Sequence, residues 1–422
     1  MSLLHPRSFL RIPPLLVATG LLLVLGLGCD SAGPPAPKEA PPPRALTAAE
    51  QQVVDTDNTF GLKLLRTAVD AEETPTNVFL SPISVSMALG MTLNGARGET
   101  RAAMEATLEK HDLSPTEIND AYRGLIDLLE GLDPNVEVAL ANSIWYRDDL
   151  PVKQAFIDTN RTHFDAAVEA LDFSAPGASD RINGWVEDRT RGNISEIVPG
   201  RIPQDMVMYL INATYFNGPW RDQFDPSNTE QGSFRRADGS TVTVPMMERT
   251  ENVHHPTYTT DQFRAVDIAY GDSLYSMTIL LPNEETSVQR VVDSLDTETW
   301  TQVTEGLSPQ SLSRLKMPKF TLRYEKTLND VLTDLGMGIA FTRQADFRDI
   351  ADTSLAISKV KHETFLKVDE EGTEASAATS VGIEVTSAPP SVVVDRPFVV
   401  VLRETHSGTI LFLGAVTDPA AG

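Results

Sequence analysis

The feature that most limits what this chain can fold into is the order of its periodic segments: helix-period stretches crowd the first half and strand-period stretches the second. Thr47-Ala48-Ala49-Glu50 has the spacing of a capping box. Val53, Asp57, Phe60, Leu64 and Ala68 follow at helical intervals, so the folded domain is predicted to open with an amphipathic helix near residue 47. Val78-Phe79-Leu80 reads as a short strand. Ser81 then caps a helix with Pro82 at its first position, whose mostly apolar body through Leu93 implies burial. Further helices are predicted near 118–129, 153–164, 179–190, 287–295 and 326–335. Strands are predicted over 136–146, 206–216, 265–270, 274–281, 312–324, 355–368, 392–402 and 409–416. Helices first and strands later, without βαβ alternation or internal repeat, indicate an α+β fold with large antiparallel or mixed sheets.

The beginning of the chain follows other rules. Arg7 and Arg11 precede an apolar run from Leu15 to Leu27, about 13 residues. That length suits a signal-peptide core and falls short of the roughly 20 residues a spanning helix needs. The run ends in Leu25-Gly26-Leu27-Gly28-Cys29, and Cys29 is the only cysteine, so the folded domain holds no disulfide, cysteine metal cluster or catalytic thiol. This ending resembles a bacterial lipoprotein signal in which the cysteine is lipidated and becomes the mature N-terminus, although Gly26 stands where that pattern has an aliphatic residue. An ordinary cleaved signal or an uncleaved anchor are the alternatives. Residues 1–28 are expected to be the signal peptide, and 29–46, with six prolines between Asp30 and Ala45, a semi-rigid tether. The protein is expected to be exported, extracellular or periplasmic, and to meet a membrane only through a lipid on Cys29.

Composition excludes several functions. Fifty-nine acids against 35 lysines and arginines give a formal net charge of −24, which repels phosphate backbones, so nucleic acid is not an expected partner. There is no G-x-S-x-G elbow, no H-E-x-x-H, no P-loop and no complete G-x-G-x-x-G, and the seven histidines show no metal-ligand spacing. Ser313 and Lys316 have a Ser-x-x-Lys spacing, but on a predicted strand and without partner motifs. His254 and His255 are adjacent on extended backbone and therefore point to opposite faces. The chain is expected to be no enzyme and to need no cofactor or metal.

Between Val368 and Val392 no turn-bounded element is legible, and structureless stretches beyond roughly 12–15 residues tend to be functional. Residues 373 to 386 split into two interleaved rows. Thr373, Ala375, Ala377, Thr379, Val381, Ile383 and Val385 are small or β-branched; Glu374, Ser376, Ala378, Ser380, Gly382, Glu384 and Thr386 are mostly polar. This is the period-two pattern of a strand with one buried face, weakened by Gly372 and the small residues after it. An ordinary, always-paired strand fits the pattern equally well.

Resemblance separates the two. Gly372-Thr373-Glu374-Ala375-Ser376-Ala377-Ala378-Thr379 closely resembles the hinge of inhibitory serpins, whose small side chains let a cleaved reactive loop enter the main sheet as an added strand. Asn77 to Ser84, Asn212 to Trp220, Lys316-Met317-Pro318-Lys319-Phe320 and Arg396-Pro397-Phe398 resemble serpin segments in serpin order, so the resemblance covers roughly residues 50 to 419. It implies a serpin domain over 47–419, helices packed around large mixed or antiparallel sheets, with an exposed reactive loop over 372–395. Residue by residue it assigns Ser81, Ser84, Asn212 and His362 to the shutter beneath the sheet, and Trp220, Lys319 and Glu370 to the breach at its top. A plain core tryptophan, a satisfied strand histidine and a surface ion pair are the plainer readings of the same residues.

Counted from Gly372 forward and from Pro397 backward, the family's scissile bond falls at Thr386-Ser387. No lysine or arginine lies between Lys367 and Arg396, and no aromatic residue between Phe365 and Phe398. Val385-Thr386 suits a serine protease with a small or medium apolar primary pocket, elastase-like or subtilisin-like, trapped as an acyl-enzyme by a monomeric inhibitor. The alternative is a non-inhibitory serpin acting as a binding or chaperone-like module, which would be expected to carry bulky, charged or proline residues in the hinge.

Overall fold

A computed structural model describes residues 43–250, 253–373 and 389–421. The helices are α1 Ala48–Asp70, α2 Pro82–Leu93, α3 Gly98–Thr107, α4 Pro115–Leu129, α5 Gln154–Phe164, α6 Ala178–Arg189, α7 Val288–Ser294, α8 Thr297–Gly306 and α9 Asn329–Leu332. The strands are β1 Val78–Leu80, β2 Glu137–Arg147, β3 Ala167–Leu171, β4 Met208–Pro219, β5 Glu230–Arg235, β6 Thr241–Arg249, β7 His254–Thr259, β8 Phe263–Tyr270 and β9 Tyr275–Pro282. They continue with β10 Ser308–Ser311, β11 Arg314–Pro318, β12 Phe320–Thr327, β13 Lys361–Val368, β14 Gly372–Thr373, β15 Ser391–Val393, β16 Phe398–Glu404 and β17 Ile410–Val416. The fold is α+β with mixed and antiparallel sheets, as the order of periodic segments indicates.

Three sheets are continuous. A seven-stranded sheet has the order β1-β17-β16-β9-β8-β7-β10, and every residue of β9, β16 and β17 is buried, which explains why apolar residues dominate these strands. A four-stranded sheet, β15-β11-β6-β5, carries the chain on past the alternating segment, with β15 parallel to β11. The third runs β14-β4-β2-β3. Beside it stands the two-stranded β12-β13 ladder.

α1 starts where expected: the Glu50 amide donates to Thr47 Oγ1 at 3.2 Å and the Thr47 amide to Glu50 Oε2 at 2.7 Å, two orphan donors satisfied reciprocally. Ordered contacts begin slightly earlier, because Arg44 donates to Glu50 at 2.6 Å and to the Gly124 carbonyl at 2.7 Å. α2 is buried at every position but Ala88, as its apolar body demands.

The structure differs from expectation where strands change sheets. The predicted strand 312–324 is two strands in different sheets, β11 and β12, which meet at Lys319; Pro318 has no N–H to continue a ladder. The predicted strand 392–402 likewise breaks between β15 and β16, at the segment ending in Pro397. Residues 355–360 are irregular rather than strand, and 326–335 begins in β12 and forms only the short α9 and a wide turn with Gly336 at φ +111°. α8 was hidden by four threonines, which favour strands, and β5 to β7 by their polar edges.

Candidate functional site

β4 and β13 face each other without a ladder between them. A narrow cleft of about 20 Å³ lies between Thr214, Tyr215 and Phe216 on one side and Phe365, Leu366 and Lys367 on the other, with Thr373 at its top. Below, the gap widens into a mouth of about 480 Å³ lined by Tyr209, Leu210 and Ile211 opposite Glu325, Lys359 and Lys361. Among the described residues, the edge of β4 below Gly218 has no ladder partner on the β13 side, a template for an added strand.

The seam is closed at one end by the hinge. Gly372 lies opposite Pro219 and Thr373 opposite Gly218, antiparallel to β4. Gly372 has φ +142°, and a Cβ there would stand 2.3 Å from the Gly218 carbonyl oxygen, so only glycine fits. Thr373 is buried, and its hydroxyl lies 3.1 Å from that of Tyr270. Glu374, Ala375, Ser376, Ala377, Ala378, Thr379, Thr386, Ser387 and Cys29 lie outside the described residues.

The residues expected at the breach meet here. Trp220 is buried, stacks on Tyr270 with ring centroids 4.2 Å apart, and donates from Nε1 to the Asp369 carbonyl at 2.9 Å. Its amide donates to the Glu371 carbonyl at 2.9 Å, so Trp220 holds the approach to the hinge through two bonds. Lys319 Nζ donates to Glu370 Oε2 at 2.7 Å, and Thr229 Oγ1 to Glu370 Oε1 at 2.8 Å. Burial pushes the Glu370 carboxyl up, but these two donors outweigh it and hold it below its usual range. Glu370 is only 7% exposed, so this is not the simple surface pair a lysine and a glutamate suggest.

The expected shutter residues occupy both lips of the seam and the helix beneath. His362 in β13 accepts a 3.1 Å bond at Nε2 from the Ser81 amide, the cap position of α2, so its neutral ring carries the proton on Nδ1. Burial alone pushes His362 down to about 4. On the opposite lip, Asn212 in β4 donates to Asn142 Oδ1 at 2.7 Å and accepts from Thr214 Oγ1 at 2.8 Å. Ser84 Oγ reaches the Asn212 carbonyl at 3.5 Å. The start of α2 thus touches β13 through Ser81 and β4 through Ser84. The Ser81 hydroxyl is buried and has no hydrogen-bond partner among the described residues.

Tyr270, Thr229, Asn142 and Thr214 belong to this constellation and were not anticipated. Tyr270 could have been found as an aromatic residue ending a strand; the other three carry no local signal, because their role comes from cross-strand neighbours. His254 and His255 do point to opposite faces, the first exposed and the second buried against the Asp267 carbonyl at 3.2 Å.

Among the described residues, β4 and β13 stand apart and Gly372 and Thr373 are seated at the top of the gap between them. A family model described as serpin (serine protease inhibitor) matches residues 55–419, and the chain belongs to the serpin family. It is 33% identical over 415 residues to plasminogen activator inhibitor 1 of Bos taurus, covering 96% of this chain and 98% of that one. To Serpin-Z1C of Triticum aestivum it is 32% identical over 382 residues, covering 85% and 94%. Among solved structures it is similar to human thyroxine-binding globulin, with a TM-score of 0.80, 28% identity and coverage of 88% and 100%. It is also similar to the thermophilic serpin tengpin in its native state, with a TM-score of 0.78, 28% identity and coverage of 91% and 97%.

Proposed function

We propose that this chain inhibits serine proteases as a suicide substrate. The observation that carries this reading is the open seam between β4 and β13 with Thr373 already seated opposite Gly218 at its top. The protease serine attacks the carbonyl of Thr386, the Thr386-Ser387 bond breaks, and the Ser387 amine leaves with a proton from the protease. Thr386 remains esterified to the protease. Residues after Thr373 then zip into the seam faster than water reaches the ester, and the attached protease is dragged along and distorted.

Small or β-branched residues at Ala375, Ala377 and Thr379 support entry, since in an inserted strand that row would share the inward face on which Thr373 meets Tyr270. The pair Val385-Thr386 supports an elastase-like or subtilisin-like target with a small or medium apolar pocket. Ser81, Ser84, Asn212 and His362 act as the shutter that yields to the incoming strand, and Trp220, Lys319 and Glu370 as the breach through which it enters. The inhibitor works as a monomer, exported and held to a membrane by a lipid on Cys29.

The test is thermal. Cleavage of the loop with an elastase-like protease should raise the unfolding temperature sharply, because the inserted strand pairs both lips of the seam. An unfolding temperature unchanged by cleavage would move the chain to the non-inhibitory members of the family.

A further inference from the structure

Away from the seam, stretches of chain far apart in sequence close a bowl of about 560 Å³, which shares no lining residue with the cleft or the mouth between β4 and β13. Its floor is apolar. Val78 of β1 and Ala415 of β17 are buried opposite each other there, and Val69 of α1 with Val288 and Val292 of α7 extend the surface. Hydrogen bonds stitch the rim. The Arg235 amide donates to the Asp395 carbonyl at 2.8 Å and Arg396 Nε to the Pro282 carbonyl at 2.9 Å, fixing the β5–β6 hairpin and the approach to β16 beside the end of β9. Gln289 Nε2 donates to Asp70 Oδ1 at 2.8 Å, joining α7 to the end of α1. Asn77 Nδ2 donates to the Asp418 carbonyl at 2.7 Å, and Arg236 closes the ring on the Asp418 carboxylate at 2.5 Å. A bowl held in this way is formed before a ligand arrives, so binding does not have to order it.

The rim carries opposite charges on its two arcs. Arg235, Arg236 and Arg396 stand on the hairpin arc; Glu73, Glu284 and Glu285 stand on the arc of α1 and α7. Arg236 and Arg396 are already held by Asp418 and Asp395, and a further rim carboxylate, Glu72, by Lys326. Arg235 is exposed and holds no carboxylate, and Glu73, Glu284 and Glu285 are exposed and hold no cation, among the described residues. An anion alone would meet the repulsion of these carboxylates and of a chain with net charge −24. A cation alone would leave Arg235 unmatched, and an uncharged apolar molecule would match neither arc. A molecule with an apolar body, one carboxylate and one ammonium matches the floor and both arcs.

We propose that this bowl binds a short apolar peptide with free ends. Its carboxylate meets Arg235, its ammonium meets Glu284 and Glu285, and its side chains lie on the valine floor. Peptide hydrolysis is the class of reaction that supplies such a ligand, since each amide cut, with one water consumed, yields one carboxylate and one ammonium. Occupancy requires neither cleavage nor insertion of the chain's own loop, so the site stands or falls separately from the inhibitory reading.

The test is calorimetric titration of the full chain with trileucine, alongside trileucine acetylated at its amine and trileucine amidated at its carboxylate. Trileucine should bind saturably, and either block should weaken it about tenfold. Arg235→Glu should weaken trileucine about tenfold without weakening the amidated peptide, which has no carboxylate to lose. Glu284→Gln combined with Glu285→Gln should weaken trileucine likewise without weakening the acetylated peptide. These positions are exposed, so the unfolding temperature of each variant should match the wild type, which separates a lost site from a lost fold. No saturable binding of trileucine, blocked peptides that bind as tightly as the free one, or variants that weaken free and blocked peptides alike would overturn the proposal.

Discussion

The hydroxyl of Thr373 lies 3.1 Å from the hydroxyl of Tyr270, and both side chains are buried. The first residue of the alternating segment is thus out of solvent with a partner inside the protein, and among the described residues β4 and β13 share no ladder below it. Burial pushes the Tyr270 phenol far up, so it remains neutral at any physiological pH.

Removing one partner should cost more than removing both. Thr373→Val leaves a buried phenol unpaired, and Tyr270→Phe leaves a buried hydroxyl unpaired, each expected to lower stability by about 1–3 kcal/mol. The double variant should lose less than the sum of the two. Urea unfolding of the four proteins measures this coupling directly, and strict additivity would show that the contact contributes nothing.

Acid should weaken the fold through its buried histidines. Burial lowers His362 from 6.5 to about 4, and burial with the nearby Arg249 does the same to His255. Above pH 6.5 both rings are neutral folded or unfolded, so neither contributes a pH dependence. As pH falls from 6.5 toward 4, the unfolded chain takes up protons that the native rings refuse, and stability drops by about 3 kcal/mol for each histidine. Urea midpoints between pH 7.5 and 4.5 should show this fall, and His362→Gln should flatten its own share. A midpoint constant over that range would contradict the assigned burial.

Lys319→Met should loosen the top of the seam. It leaves the Glu370 carboxylate 7% exposed with only Thr229 as side-chain donor. Because Lys319 itself is 39% exposed, the expected loss is modest, about 1 kcal/mol. The readout is the rate at which the warmed, uncleaved inhibitor loses its ability to form complexes, which should rise. Glu370→Gln, which removes the charge along with the need for a lysine, should have the smaller effect.

Ala377→Arg should convert inhibitor into substrate. In the register set at the hinge, position 377 falls opposite Thr214 on the inward face, where a guanidinium has no room and no partner. Protease binding and loop cleavage should continue at the wild-type rate while covalent complex disappears. Undiminished complex with this variant would rule out insertion at that register.

What was legible in the sequence was what local chemistry dictates. The capping box at Thr47 and the buried α2 follow from residue type and spacing, and they stand where the spacing puts them. What was not legible depends on which sheet a strand joins. Nothing local says that Lys319 is a joint between two sheets, yet that joint delivers its amine to Glu370 across a turn of unrelated sequence. The separation of β4 from β13 is likewise invisible in either strand alone, since each shows an ordinary alternation of buried and less buried positions. Tyr270 and Thr229 became functional candidates only once Thr373 and Glu370 were placed beside them.

The most direct test of the central claim mixes the full chain with elastase-, subtilisin-, chymotrypsin- and trypsin-like proteases, and resolves the products on a denaturing gel with mass spectrometry of the released peptide. The account predicts a denaturant-resistant complex with the elastase- or subtilisin-like enzyme and a C-terminal peptide beginning at Ser387. Cleavage at that bond with no complex, for every protease in the panel, would contradict it.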